Sequence, residues 1–115
     1  MINTRTVQNN LAFVVYGDDA WRVCFRMYND VLQVRFDVHG LSVYEAKRRI
    51  AAVIAVIPYA AQLCVVHGYH GGTGIRDMLH NKPCSLRVCS VRTPVYNPGI
   101  TWMDLCDRAG YGAAA

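Results

Sequence analysis

The chain has 115 residues and a mass of 12.9 kDa, room for one hydrophobic core and one site but not for two domains. Its 53% hydrophobic and 17% charged content excludes an intrinsically disordered chain. The net charge of +4 falls short of a strongly basic polyanion binder, yet ten of the twelve basic residues are arginines, whose guanidinium grips phosphate oxygens in a bidentate way that an ammonium cannot.

The opening MINTRTVQNN is polar and carries no signal-peptide core, and no apolar run approaches the ~18 residues that cross a bilayer, so a cytoplasmic protein with no membrane partner is expected. LAFVVYGDDAWRVCFRMYNDVLQVRFDVHG alternates side-chain type and is punctuated by two turn formers, Gly17-Asp18-Asp19 and Asn29-Asp30. It reads as three strands in a meander, 11–16, 21–28 and 31–38, the first two making an N-terminal β-hairpin extension over residues 1–30. In the third, Leu32, Val34, Phe36 and Val38 share one face while Gln33, Arg35, Asp37 and His39 share the other, because strand side chains repeat every two residues. Asp37 and His39 therefore point the same way at the strand's end.

LSVYEAKRRIAAVIAVIPY predicts a helix with both ends written in: Ser42 and Glu45 make a capping box, and Pro58 stops it. Val43, Ala46, Ile50, Val53, Ile54 and Ile57 form its apolar stripe, and Lys47, Arg48 and Arg49 crowd the outer surface of its first half as candidate nucleic-acid contacts. The second half, IAAVIAVI, has no polar side, so the N-terminal strands or a second copy of the chain in a homodimer must cover it. QLCVVHG predicts a short buried strand, followed by a glycine-rich loop and a short helix from about Ile75 to Asn81-Lys82-Pro83. SLRVCSV and ITWMDLC predict the last two strands. From residue 31 the order is β-α-β-α-β-β, an α/β domain over 31–109 with a mixed sheet, followed by a flexible tail over 110–115.

Ligands gather at the carboxyl ends of parallel strands in α/β units. Asp37 and His39 end one such strand and His67 ends the next, in VVHGYHGGTG, so three polar groups are expected to converge there. Gly68, Gly71, Gly72, Thr73 and Gly74 let the main chain approach a ligand, and the amides opening the next helix, with Arg76, make an anion site. An imidazole beside a bound phosphate can give or take a proton near neutral pH. Taken singly, each histidine reads as a hydrogen-bonded structural residue; two His-Gly pairs at the ends of strands that feed helices are what point to a site. The loop is neither a Walker loop nor a GxGxxG dinucleotide fingerprint.

FDVHGLSVYEAKRRI, then VVHGYHGGTGIRDML, then YNPGITWMDL together resemble the Smr (small MutS-related) domain family over roughly residues 32–107. Phe36 stands where the family usually has leucine, and the second loop is two residues longer than the common pattern, like a branch with a His-Gly-Tyr-x-x-Gly-Thr loop. The resemblance implies an α/β two-layer sandwich similar to the C-terminal domain of a bacterial translation initiation factor. It also implies DNA or RNA as partner and, in several members, endonuclease activity, with Asp37 and His39 matching the motif linked to cleavage and His67 to Gly74 the loop motif. A second reading of the same residues is a module that holds structured DNA or RNA without cutting.

Five cysteines, at 24, 64, 84, 89 and 106, form no CxxC pair and read as small apolar residues in a reducing compartment. His80, Cys84 and Cys89 lack the spacing of structural zinc. A single carboxylate, Asp37, leaves the cofactor open, with magnesium or manganese the ions to test.

Overall fold

The alternation along residues 31–38 builds an inner strand of a five-stranded mixed sheet, next to the central one. The computed structural model describes residues 2–57, 60–70, 72–82 and 84–107. Its elements are α1 (Thr4–Val14), a 3-10 helix (Gly17–Arg22), β1 (Val23–Tyr28), β2 (Val31–Asp37), α2 (Val43–Ala55), β3 (Ala61–Val66), α3 (Gly74–Asn81), β4 (Val88–Arg92) and β5 (Ile100–Leu105). The sheet order is β1-β2-β3-β5-β4; β2 and β3 run parallel, and the other neighbouring pairs are antiparallel. Among the described residues no helix is long and apolar enough to cross a membrane.

The helices share one face of the sheet. Leu32, Val34 and Phe36 of β2, Leu63 and Val65 of β3, and Met103 and Leu105 of β5 meet Ala46, Ile50, Val53 and Ile54 of α2 and Leu79 of α3 in one buried cluster. Ser42 caps α2, its hydroxyl accepting from the Glu45 amide, as the capping box requires. At the other end of the helix, buried Arg87 donates to the carbonyls of Ile54, Ile57 and Cys106. A cation thus closes the orphan carbonyls at the negative end of α2's dipole.

The N-terminal segment departs from the expected hairpin. Residues 4–14 are helical, not a strand over 11–16. Asn3 caps the helix by accepting from the amides of Arg5 and Thr6, and Val7, Leu11 and Val15 recur at helical spacing and are buried. The apolar alternation of LAFVVY was too short to override that spacing. Gly17-Asp18-Asp19 opens a 3-10 helix, and β1 joins the sheet as an edge strand through a two-residue turn at Asn29 and Asp30, both at positive φ (49° and 64°). Val7, Leu11 and Val15 join the same cluster as Ile50, Val53, Ile54 and Ile57, so the all-apolar half of α2 is covered from within the chain.

The cysteines also divide differently from expectation. Cys89 and Cys106 form a disulfide across the β4–β5 edge, Cys24 is exposed, and only Cys64 is a fully buried thiol. Burial pushes the half-buried Cys84 thiol up to about 11.

Candidate functional site

Parallel pairing of β2 with β3 sets Asp37 opposite Val66, and the ladder continues one step further as the Val38 amide donates to the Val66 carbonyl at 2.8 Å. His39 and His67 therefore leave the same edge of the sheet. The Asp37 carboxylate accepts from the His39 amide at 3.0 Å and contacts the ring Nδ1 of His39 at 2.6 Å. An ionised carboxylate can only accept, so Nδ1 carries the proton, and in the neutral ring Nε2 keeps its lone pair. The pair is half exposed, with 59% of the His39 side chain accessible.

Residues ahead of β1 hold this pair in place. Arg22 donates through Nη1 to the carbonyls of both Asp37 and His39, at 3.2 Å each, fixing the backbone on either side of Val38. Its guanidinium lies 4.7 Å over the Trp21 ring, which in turn stands 6.0 Å from the His39 ring. An ion-pair chain continues from Arg22 to Asp19, Arg49, Glu45 and Arg48. Arg49 first, then Arg22, hold the Asp19 carboxyl below its ordinary range.

His67 is placed beside the pair but differently employed. Its amide and that of Gly68 both donate to the Gly99 carbonyl at 2.9 Å, so the Asn97-Pro98-Gly99 turn pins the start of the loop. Gly99 is packed so closely that a Cβ there would meet Asn97 Oδ1 and Tyr69 Cδ1 at 3.3 Å. The His67 ring is 8% exposed, with Nδ1 2.7 Å from the Gly68 carbonyl and Nε2 2.8 Å from the Thr101 hydroxyl. A carbonyl only accepts, which assigns the proton to Nδ1 and makes Nε2 the acceptor of the Thr101 hydroxyl proton. Thr101 Oγ1 then accepts from Thr93 (2.7 Å), and Thr93 from His80 Nε2 (2.8 Å). Burial, the largest cause, lowers the pKa of His67. His67 is thus a neutral, fully engaged ring.

Gly68 (φ 72°) and Gly72 (φ 111°) take left-handed conformations that favour glycine, whereas Gly71 lies outside the described residues. Gly74 opens α3 against Val43 of α2, where a Cβ would come within 3.0 Å of Val43 Cγ2. The first intrahelical bond runs from the Asp77 amide to the Thr73 carbonyl, leaving the amides of Gly74, Ile75 and Arg76 ahead of it at the positive end of the helix. Asp77, in that first turn, accepts from Thr73 Oγ1 at 2.8 Å and pairs with Arg76 at 3.3 Å. The Thr73 hydroxyl, followed by Arg76, lowers the Asp77 pKa. A groove of about 680 Å³ brings His39, His67, Gly68, Gly72, Gly74 and Arg76 together.

Lys47, Arg48 and Arg49 are on α2, in the helix layer, where Arg48 and Arg49 are engaged by Glu45 and Asp19. Sequence reasoning missed Arg22, Trp21, Asp77 and Thr101. Only Thr101 left a signal, as the one polar residue at a core-facing position of ITWMDL, and it is 0% exposed. Among the described residues no group of three or more His, Cys, Asp or Glu could hold a metal ion, so a divalent cation would have to be shared between Asp37 and a ligand's own phosphates. Comparison with known proteins finds no matching family model, no matching curated protein and no matching solved structure.

Proposed function

We propose that the chain is a nucleic-acid-binding domain of the Smr type that cleaves phosphodiester bonds, nicking DNA or cutting RNA. The observation that carries this reading is the Asp37–His39 contact of 2.6 Å, whose His39 lines a groove together with glycines and a helix start, Asp37 standing behind it. The three motifs of the resemblance supply the family, and the α/β sheet with helices on one face is in keeping with the two-layer sandwich of the initiation-factor domain that the family implies. In this mechanism His39 Nε2 takes the proton from the attacking oxygen, water or a neighbouring ribose hydroxyl, as that oxygen bonds to phosphorus. Asp37 stabilises the imidazolium that forms. The opposite P–O bond breaks and its oxygen takes a proton from solvent, which reaches this open groove. The amides at the start of α3 and Arg76 stabilise the phosphate's added charge. His67 positions the loop and exchanges no proton with the substrate.

One observation favours a binding module that does not cut: with His67 fully hydrogen-bonded, the site retains a single acid-base group, and Asp77 already places a negative charge in the first turn of α3. The deciding experiment incubates supercoiled plasmid and a folded RNA with the protein, with and without magnesium or manganese. Cleavage that is lost in both Asp37→Asn and His39→Ala, with melting temperature and binding retained, is expected of the nuclease. Binding without cleavage under every condition would establish the module instead.

A further inference from the structure

Strand register arranges the uncovered face of the sheet into rows. One row runs Cys24, Arg35, Cys64, Trp102, Arg92, each residue paired to the next across β1, β2, β3, β5 and β4. The adjacent row runs Arg26, Gln33, Gln62, Asp104, Ser90 and is closed by hydrogen bonds: Arg26 to Gln33, Gln33 to Gln62, Ser90 and Arg92 to Asp104. All of these side chains project away from the helices, because the core-facing residues are their alternates along each strand. Exposed arginines therefore stand on both flanks, Arg26 and Arg35 on one side and Arg92 on the other. Trp102 lies between them in the floor, and a depression of about 370 Å³ is lined by Arg26, Gln33, Arg35, Cys64 and Trp102.

We propose that this open face is a binding track for a single-stranded polynucleotide that delivers the strand to the Asp37–His39 pair. The inference rests on the reading that the protein binds nucleic acid and names the form it takes. Three arginines face two carboxylates, Asp104, which Arg92 and Ser90 already engage, and Asp37, which His39 engages, so the surface is complementary to a polyanion. Arg35 forms no ion pair among the described residues. Arg92 lies 5.9 Å from the Trp102 ring and Arg26 5.0 Å from that of Tyr28, so each aromatic plane is bordered by a cation, the combination that stacks an unpaired base while holding its phosphate. A duplex keeps its bases inside and could reach only the arginines. A second copy of this face would set arginines against arginines, which excludes a two-fold homodimer through it. Asp37 is two residues beyond Arg35 on the same side of β2, about 7 Å along the strand, so the track runs directly into the pair.

The test measures binding of fluorescein-labelled single strands of about 15 nucleotides, oligouridylate and oligodeoxyuridylate, and of a duplex of equal length, to the full chain in the presence of a chelator. Trp102→Leu should weaken single-strand binding about 5- to 150-fold with the salt dependence unchanged. Arg35→Gln with Arg92→Gln should weaken it and reduce the salt slope by about 1.4. Circular dichroism confirms that each variant is folded, and Arg35→Gln, at an exposed position, serves alone if Trp102→Leu unfolds. A preference for the single strands over the duplex supports the track, and the ratio of the two oligomers identifies the sugar. Single-strand binding that survives these substitutions but falls in Lys47→Ala/Arg48→Ala would overturn the track while leaving nucleic-acid binding intact. No binding of any oligomer at low salt would remove the underlying reading and the track with it.

Discussion

Replacing Thr101 by valine tests whether His67 is an anchor or a free catalytic base. The substitution keeps the shape of a side chain that is 0% exposed and deletes the hydroxyl that donates to His67 Nε2 and accepts from Thr93. His67 Nε2, in a ring only 8% exposed, is left without a donor, a loss of about 1–3 kcal/mol for a buried unsatisfied group. Thr93 is half-buried and can turn its hydroxyl to solvent, so it adds little, and the extra methyl of valine offsets a fraction. In a domain of this size that corresponds to a fall in melting temperature of about 4–12 °C. Thermal and urea melts of Thr101→Val, His67→Phe and the double variant measure both the loss and the coupling. The double variant should be less destabilised than the sum of the singles by about 1 kcal/mol or more, since it removes both members of the pair. A Thr101→Val protein that melts with the wild type, or strictly additive singles, would falsify the buried relay and return His67 to the groove as a free imidazole.

The lowered pKa of His67 gives a pH signature of the same network: the unfolded chain binds a proton below about 6.5 that the folded ring resists, so stability is full above that range and declines as pH falls through it toward the folded pKa, a decline His67→Phe should flatten in urea melts taken at successive pH values. Gly68→Ala, forced into φ 72°, should lose about 1–2 kcal/mol on chemical denaturation, and Gly68→Asn less. Arg87→Met leaves the carbonyls of Ile54, Ile57 and Cys106 uncapped and should destabilise by roughly 2–4 kcal/mol, and a melt within error of the wild type would show those bonds to be dispensable. Arg22→Ala should reduce cleavage more than binding, measured on the same substrate, because it frees the backbone that carries Asp37 and His39 and touches no ligand itself.

What the sequence disclosed depended on how local the determinant was. The second helix was legible to its cap because Ser42 and Glu45 are three residues apart, and the parallel β2–β3 pair followed from a strand-helix-strand order that admits few alternatives. The convergence of residues 39 and 67 on one edge followed in turn from that pairing. The N-terminal helix was missed because its apolar positions, Val7, Leu11 and Val15, are diluted by a polar opening while LAFVVY offers a louder local alternation. The engagement of His67 was illegible for a different reason. Its partner Thr101 is 34 residues away on β5, which lies between β3 and β4 although it follows both in sequence. The Cys89–Cys106 disulfide is likewise a product of sheet order, since only the β4–β5 pairing brings the two together.

The arginines show how the same residue type divides its labour once the fold is known. Arg48 and Arg49, prominent in the sequence as a basic run, spend their charge on Glu45 and Asp19. Through Asp19 that chain reaches Arg22 and so the carbonyls of Asp37 and His39. Arg87 is consumed inside the molecule by the end of α2. The arginines on the open face of the sheet, Arg26, Arg35 and Arg92, are scattered through three strands in sequence and become a surface only through strand register. A run of like charges in a sequence therefore marked the scaffold here. The candidate binding surface came from isolated arginines, each preceded by an apolar residue that packs in the core, Phe25, Val34 and Val91.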